Sequence, residues 1–205
     1  MHPVIHKNTW LYLHVLGIAA ALVVYPFMLA AITLSPWFNL SNSSLSALGD
    51  AVSNGWVGYI YSTGIGLAGL LTLAFAVLLS YKSRNRRVLI WTVPLAATSV
   101  CLAMIGVFSE GTPGPYHHIA TGLFFLLDVV TLLAFSCVPR PFSSTHIRVT
   151  ALVFGIFSAF IWITYWPWSG IPNQWSVWPW SGDAILEAAT ALMTSVWLIL
   201  VVSRT

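Results

Sequence analysis

Six times along the chain, apolar residues continue almost unbroken before a short polar break. The runs cover residues 9–34, 56–79, 88–108, 115–138, 149–166 and 184–202. At about 1.5 Å of rise per residue, each is long enough to cross roughly 30 Å of hydrocarbon. Lipid offers no hydrogen-bond partner to a backbone N–H or C=O, so such a span has to be helical. The pattern predicts an all-α polytopic membrane protein, a six-transmembrane-helix bundle forming a single membrane domain over residues 1–205. Pro26 and Pro94 lie inside the first and third runs and predict kinks there. Gly58, Ser62, Gly66 and Gly69 give the second run a small-residue face for close helix packing. The first run outlasts a signal-peptide core and meets no small-residue cleavage site before the next loop, so it is expected to be retained.

Composition agrees, with 58% hydrophobic residues and only 6% charged. A soluble domain carries about a quarter of its residues charged. The few charges also orient the chain. If the spans alternate, all eight basic residues (Lys7, Lys82, Arg84, Arg86, Arg87, Arg140, Arg148 and Arg204) fall on one side. Short basic loops stay cytoplasmic, so both termini are expected inside, in a multi-pass protein of the cell (plasma) membrane. Asp50, Glu110, Asp183 and Glu187 lie at the opposite, outer side, and only Asp128 is deep. The net charge of +3 is scattered over loops, with no basic, aromatic-interleaved face for nucleic acid. Cys101 and Cys137 fall at different depths and are expected as free thiols.

The outer loops differ in character. Residues 35–55 are long and polar, with glycosylation-like triplets at Asn39 and Asn42. Residues 109–114 form a tight Gly/Pro turn, which makes the third and fourth spans neighbours. The last outer loop carries Trp166, Trp168, Trp175, Trp178 and Trp180 and repeats Pro-Trp-Ser-Gly. Indole settles at the headgroup level, so this loop is expected to anchor flat on the membrane surface, with a lid over a substrate as the alternative.

Candidate chemistry gathers at the outer side. His117 and Asp128, eleven residues apart, point nearly the same way on the fourth span, whereas His118 is rotated about 100° from them. Asp183, Glu187, Thr190 and Thr194 make a second polar seam on the last span, and Glu110 closes the third at the same level. One reading is purely structural: Glu187 and His117 bond each other or the first outer loop. A second is an outward-facing pocket for a lipid headgroup or small ligand, lined by Ser46, Asp50, Asn54, Glu110, His117, Asp183 and Glu187. A third is a metal-dependent intramembrane hydrolase on His117, Glu187 and Asp183 or Asp50, although no diagnostic ligand spacing is present. His14 and Asp128 are the other buried polar candidates, expected to pair as an interhelical lock or, alternatively, as a step in proton transport. A bis-histidine haem is disfavoured because His14 and His117 lie at opposite ends, and no cofactor is indicated. The expected partners are membrane lipids, a second copy of the chain or the other subunits of a membrane complex.

Four motifs recur in order across the spans: Leu45-Ser46-Ala47-Leu48-Gly49; Asn54 before the Gly-rich second span; Pro113-Gly114-Pro115-Tyr116-His117 ahead of Phe124-Phe125; and Asp183-Ala184-Ile185-Leu186-Glu187. In these the chain resembles the six-span membrane family catalogued as Domain of Unknown Function 998, from about Trp10 to Val202. Tyr59-Ile60-Tyr61-Ser62 stands where such proteins often show a Phe-Asn pair. The resemblance implies a six-helix bundle with the first-loop motif, His117 and Glu187 gathered at one end, and it implies no activity.

Overall fold

The computed structural model describes residues 7–83, 85–138, 144–165 and 181–204. The Trp-rich segment 166–180, Arg84 and Arg140 lie outside the described residues, as does the side chain of Lys7. The first span consists of α1 (Lys7–Leu22) and α2 (Val24–Leu34). A 3₁₀ turn (Ser46–Gly49) and the short α3 (Ala51–Asn54) fill the following loop. Then come α4 (Trp56–Lys82), a second 3₁₀ turn (Arg86–Val88), α5 (Leu89–Val107), α6 (Tyr116–Ser136), α7 (Thr145–Tyr165) and α8 (Ala184–Val202). No strand occurs among the described residues, and six spans are long and apolar enough to cross a membrane. The protein is an all-α, multi-pass integral membrane protein, as its hydropathy pattern predicts.

The observed helices outrun the predicted spans where charge begins. α4 continues to Lys82 and α7 starts at Thr145, ahead of Arg148. Hydropathy stops at a charged residue, but a helix need not, since long basic side chains carry their charge out to the interface. Arg148 is tied down there, its Nε donating to the Ser136 carbonyl at 2.9 Å.

Helix packing forms a ring. α1 packs on α4, α4 on α5, α5 on α6, α6 on α7, α7 on α8, and α8 back on α1. Pro26 has no N–H to offer the Leu22 carbonyl, and the first span breaks at Val23. Val23 keeps helical angles (φ −59°, ψ −33°), so the break is a kink rather than a turn. Beyond it α2 packs on α4, leaving α8 to α1 and α7.

The two halves of the ring are filled differently. In the half carrying Lys82 and Arg148, a core of Leu13, Phe75, Leu132, Phe135, Trp91 and Trp197 closes the centre. Trp91, Phe135 and Trp197 meet edge to face in all three pairings, with centroids 5.1, 5.8 and 5.2 Å apart. This is the geometry that aromatic quadrupoles favour. In the other half, smaller or looser elements (Ala31, Leu48, Val57, Ile65, Ala120 and Ala184) pack beneath the first loop.

Several hydroxyls inside the spans bond carbonyls of their own helices. Thr72 donates to the Ala68 carbonyl (2.7 Å), Thr98 to Pro94 (2.9 Å) and Ser99 to Leu95 (2.6 Å). A few also stitch neighbours together, as Ser80 does with Thr92 at 2.7 Å and Trp162 with Thr190 at 3.2 Å.

Lipid supplies no hydrophobic drive for helix association, so contact area has to come from close approach. On α4 and α5 that approach is set by glycine: a Cβ on Gly106 would fall 2.6 Å from the Gly66 nitrogen and 2.7 Å from the Ser62 carbonyl oxygen. Gly66 itself faces open space for an added Cβ. Gly106→Leu should therefore wedge the two helices apart and cost about 1–3 kcal/mol or more. Gly66→Ala should be neutral or slightly stabilising, by up to about 1 kcal/mol. Thermal melts of the detergent-purified variants measure both.

Candidate functional site

The first loop lies across the start of α8 and is held there by backbone and side chains alike. Gly182 N–H donates to the Ser41 carbonyl and Ala184 N–H to Ser43, both at 3.0 Å. Ser181 Oγ donates to Asn42 Oδ1 at 3.2 Å. One turn further along α8, Glu187 is buried. Its carboxylate takes the Leu45 N–H at 2.5 Å and the Ser46 hydroxyl at 3.2 Å. Those donors open the 3₁₀ turn Ser46–Gly49, so Glu187 caps that turn from another helix. Ser44 works in parallel: its hydroxyl accepts from Ala47 N–H (3.0 Å) and donates to Glu110 Oε2 (3.0 Å).

His117 closes the neighbouring turn. Gly114, at φ +96°, lets the chain reverse ahead of α6, and the buried imidazole reaches back to the turn's start. Nδ1 lies 2.7 Å from the Phe108 carbonyl, which can only accept, so Nδ1 is the donor. In the neutral ring Nε2 is then the acceptor, and the Thr121 hydroxyl stands 3.4 Å from it. The two residues at the centre of the sequence reading are thus both brought to one end of the bundle, each fixing a loop.

Between these loops is a recess of about 330 Å³. Ser46, Glu110, His117, Asp183 and Glu187, all expected in the site, line it. Asp50 and Asn54 do not. Asp50 instead caps α3, accepting from Val52 N–H (2.8 Å) and the Ser53 hydroxyl (2.5 Å). The Ser53 bond is the main cause holding its carboxyl below the usual range. Asn54 staples the loop's two ends, taking the Trp37 indole N–H (3.1 Å) and giving its amide to Ser35 Oγ (2.9 Å) and the Leu48 carbonyl (3.0 Å). Loop residues have no helical phase, so sequence could not separate those facing the recess from those bracing its back.

Among the lining residues not expected in the site are His118, Trp162 and Tyr165. His118 was set aside by helical phase, yet it stands on the rim with its ring 5.6 Å from that of His117. The recess opens at the very end of α6 and spans a wider arc than one face of a buried helix. Trp162 and Tyr165 form the α7 wall, with Trp162 stacked on Phe125 at 3.6 Å. Asp183 precedes α8 without capping it. Burial, with the Glu110 charge adding to it, pushes the Asp183 carboxyl up to about 6. No Lys or Arg lines the recess among the described residues.

The metal expectation finds no ligand set. Among the described residues no group of three or more His, Cys, Asp or Glu converges to hold an ion. Glu187 bonds Leu45 and Ser46, and His117 Nδ1 bonds the Phe108 carbonyl. The expected His14–Asp128 lock is also replaced. His14 Nδ1 stays on its own helix, 2.8 Å from the Trp10 carbonyl. Asp128, fully buried, takes the Thr194 hydroxyl of α8, which lies 3.0 Å from both carboxylate oxygens.

Replacing Glu187 with Ala leaves the buried Leu45 N–H without its acceptor, a loss of about 1–3 kcal/mol. Hydrogen exchange should show residues 43–49 losing protection in Glu187→Ala while α4 and α5 keep theirs.

No curated protein and no solved structure matches the chain. The sequence model of the family described as "Protein of unknown function (DUF998)" matches residues 18–204, which include both loop anchors, the recess and most of all six spans. The chain belongs to that family.

Proposed function

We propose that the protein binds a membrane amphipath with a cationic head, holding the head in the recess between the first loop and the start of α8. What carries this reading is the meeting of two unlike spaces. Beneath the polar recess lies a second cavity of about 270 Å³ whose walls are almost wholly apolar. Ser46, Thr121, Phe125 and Glu187 belong to the lining of both. A polar mouth over an apolar chamber matches a molecule with one charged end and one hydrocarbon end.

The charge of the head follows from the rim. Glu110 keeps one carboxylate oxygen clear of its Ser44 bond, and the Asp183 carboxyl makes no bond to its own helix end. With no described basic residue opposite, an ammonium group gains the Glu110 and Asp183 carboxylates as acceptors, whereas a phosphate or carboxylate meets like charge. Lys82, Arg86, Arg87, Arg148 and Arg204 all belong to the other end of the helices, and the tendency of basic loops to stay cytoplasmic supports a recess facing outward from the cell membrane, with both termini inside.

Melting shifts in nanodiscs compare two probes of equal chain length, dodecylamine and dodecyl sulfate. The amine should bind at least about tenfold more tightly, and the Glu110→Gln, Asp183→Asn double variant should erase the difference. Equal binding, or a preference for the sulfate, overturns the reading. The pH dependence has a definite sign. An acid whose folded pKa is raised makes the empty protein less stable as pH climbs from about 4 through 6, and Asp183→Asn removes that slope. A bound cation favours the ionised form, so amine affinity should rise between pH 5 and 7, by up to about tenfold as the carboxylate fraction grows.

A further inference from the structure

The apolar chamber follows α8 from Glu187 to Leu198, a length of about 16 Å by helical rise. That is roughly half of the ~30 Å hydrocarbon core, the depth of one leaflet. Its floor is the filled half of the ring, since Leu95 and Leu198 belong to both. Alanines make part of its walls: Ala20, Ala21, Ala68, Ala188 and Ala191. Three hydroxyls in the wall, those of Thr72, Thr98 and Ser99, already donate to carbonyls of their own helices. Water needs two to four polar partners to reside in such a place, and few remain here.

The chamber also has a side. Past the Pro26 kink α2 stays with α4, and between α2 and α8 the wall thins. Tyr25 and Met28 on one flank and Ala191, Leu192 and Ser195 on the other line the chamber, yet none of them is buried. Leu192 is 55% exposed, on a helix face turned to the membrane interior. Tyr25 bridges the gap, its hydroxyl donating to Ser195 Oγ at 2.9 Å and reaching the Ala191 carbonyl at 3.3 Å.

We propose that the chamber holds one hydrocarbon chain of a bilayer lipid, admitted sideways between α2 and α8 past the Tyr25–Ser195 latch. This rests on the amphipath reading and narrows its ligand to a molecule already resident in the membrane. The opening faces hydrocarbon, where lipid chains are the surrounding solvent. An unfilled apolar void forfeits the dispersion contacts of its lining, and a chain restores them. The chamber's one-leaflet depth suits a chain whose head stays at the recess.

The test uses nanodiscs containing phosphatidylethanolamine with a photoactivatable diazirine midway along one acyl chain, and adducts are mapped by peptide mass spectrometry. Adducts are expected on chamber residues such as Ala68, Leu102 and Ala191. Adducts confined to outward residues such as Leu29, Ile163 and Val196 overturn the proposal. Ala191→Phe should cut chamber labelling at least fivefold and leave outward labelling unchanged, and Ala68→Leu serves the same purpose if that variant does not fold. Unchanged chamber labelling in a folded, filled variant also overturns it. Tyr25→Phe should speed the appearance of chamber adducts severalfold, and an unchanged rate removes the latch. Failure here is separable from failure of the head reading. Chamber adducts without a dodecylamine preference sink only the cationic head, and an amine preference without chamber adducts sinks only the chain.

Discussion

A carboxylate on α8 holds down the loop between the first and second spans, and the organisation of one whole end of the molecule follows from it. Glu187 sits where water is scarce, and its two oxygens meet the Leu45 N–H and the Ser46 hydroxyl at the opening of the 3₁₀ turn. Buried donors without acceptors cost more than the same bonds return when made, so the pairing fixes position more than it adds stability. Once Leu45 is pinned, Ser44 is placed to fix Glu110, and Ser41 and Ser43 lie along the start of α8. A loop that hydropathy leaves free thereby becomes a rigid roof, and the recess is the space it fails to fill.

The roof matters because the bundle below it is packed unevenly. In one half the interlocked indoles and phenyl ring of Trp91, Trp197 and Phe135 leave no room. In the other half alanines, leucines and a few aromatic side chains line an open chamber, and the first span breaks at Val23 ahead of Pro26. Small residues do opposite work in two places: on α4 and α5 they bring backbones together, and along α8 and α1 they leave space.

Much of the bundle is legible in the chain because lipid enforces it. A span must be apolar and about 20 residues long, and charge must lie at its ends, so all six spans follow from the order of residues alone. Helical phase and depth also point His117, Asp183 and Glu187 to one end, and the three line one recess. What they cannot supply is which neighbour each helix turns toward. Asp128 was recognisably a deep acid needing a partner, and Thr194 was recognisably on a polar seam, but only the folded bundle shows the two meeting between α6 and α8. Asp50 and Asn54 fall in a loop with no repeat, where tight turns decide direction and their own short-range bonds consume them. His118 shows the opposite failure: helical phase excluded it, whereas a helix end open to the surface is accessible over a far wider arc.

The aromatic trio has a consequence for traffic. Its rings pack edge to face within the core that meets the chamber at Leu95 and Leu198. A hydrocarbon chain of the proposed kind would end against this aromatic core, an arrangement suited to holding a guest within one leaflet.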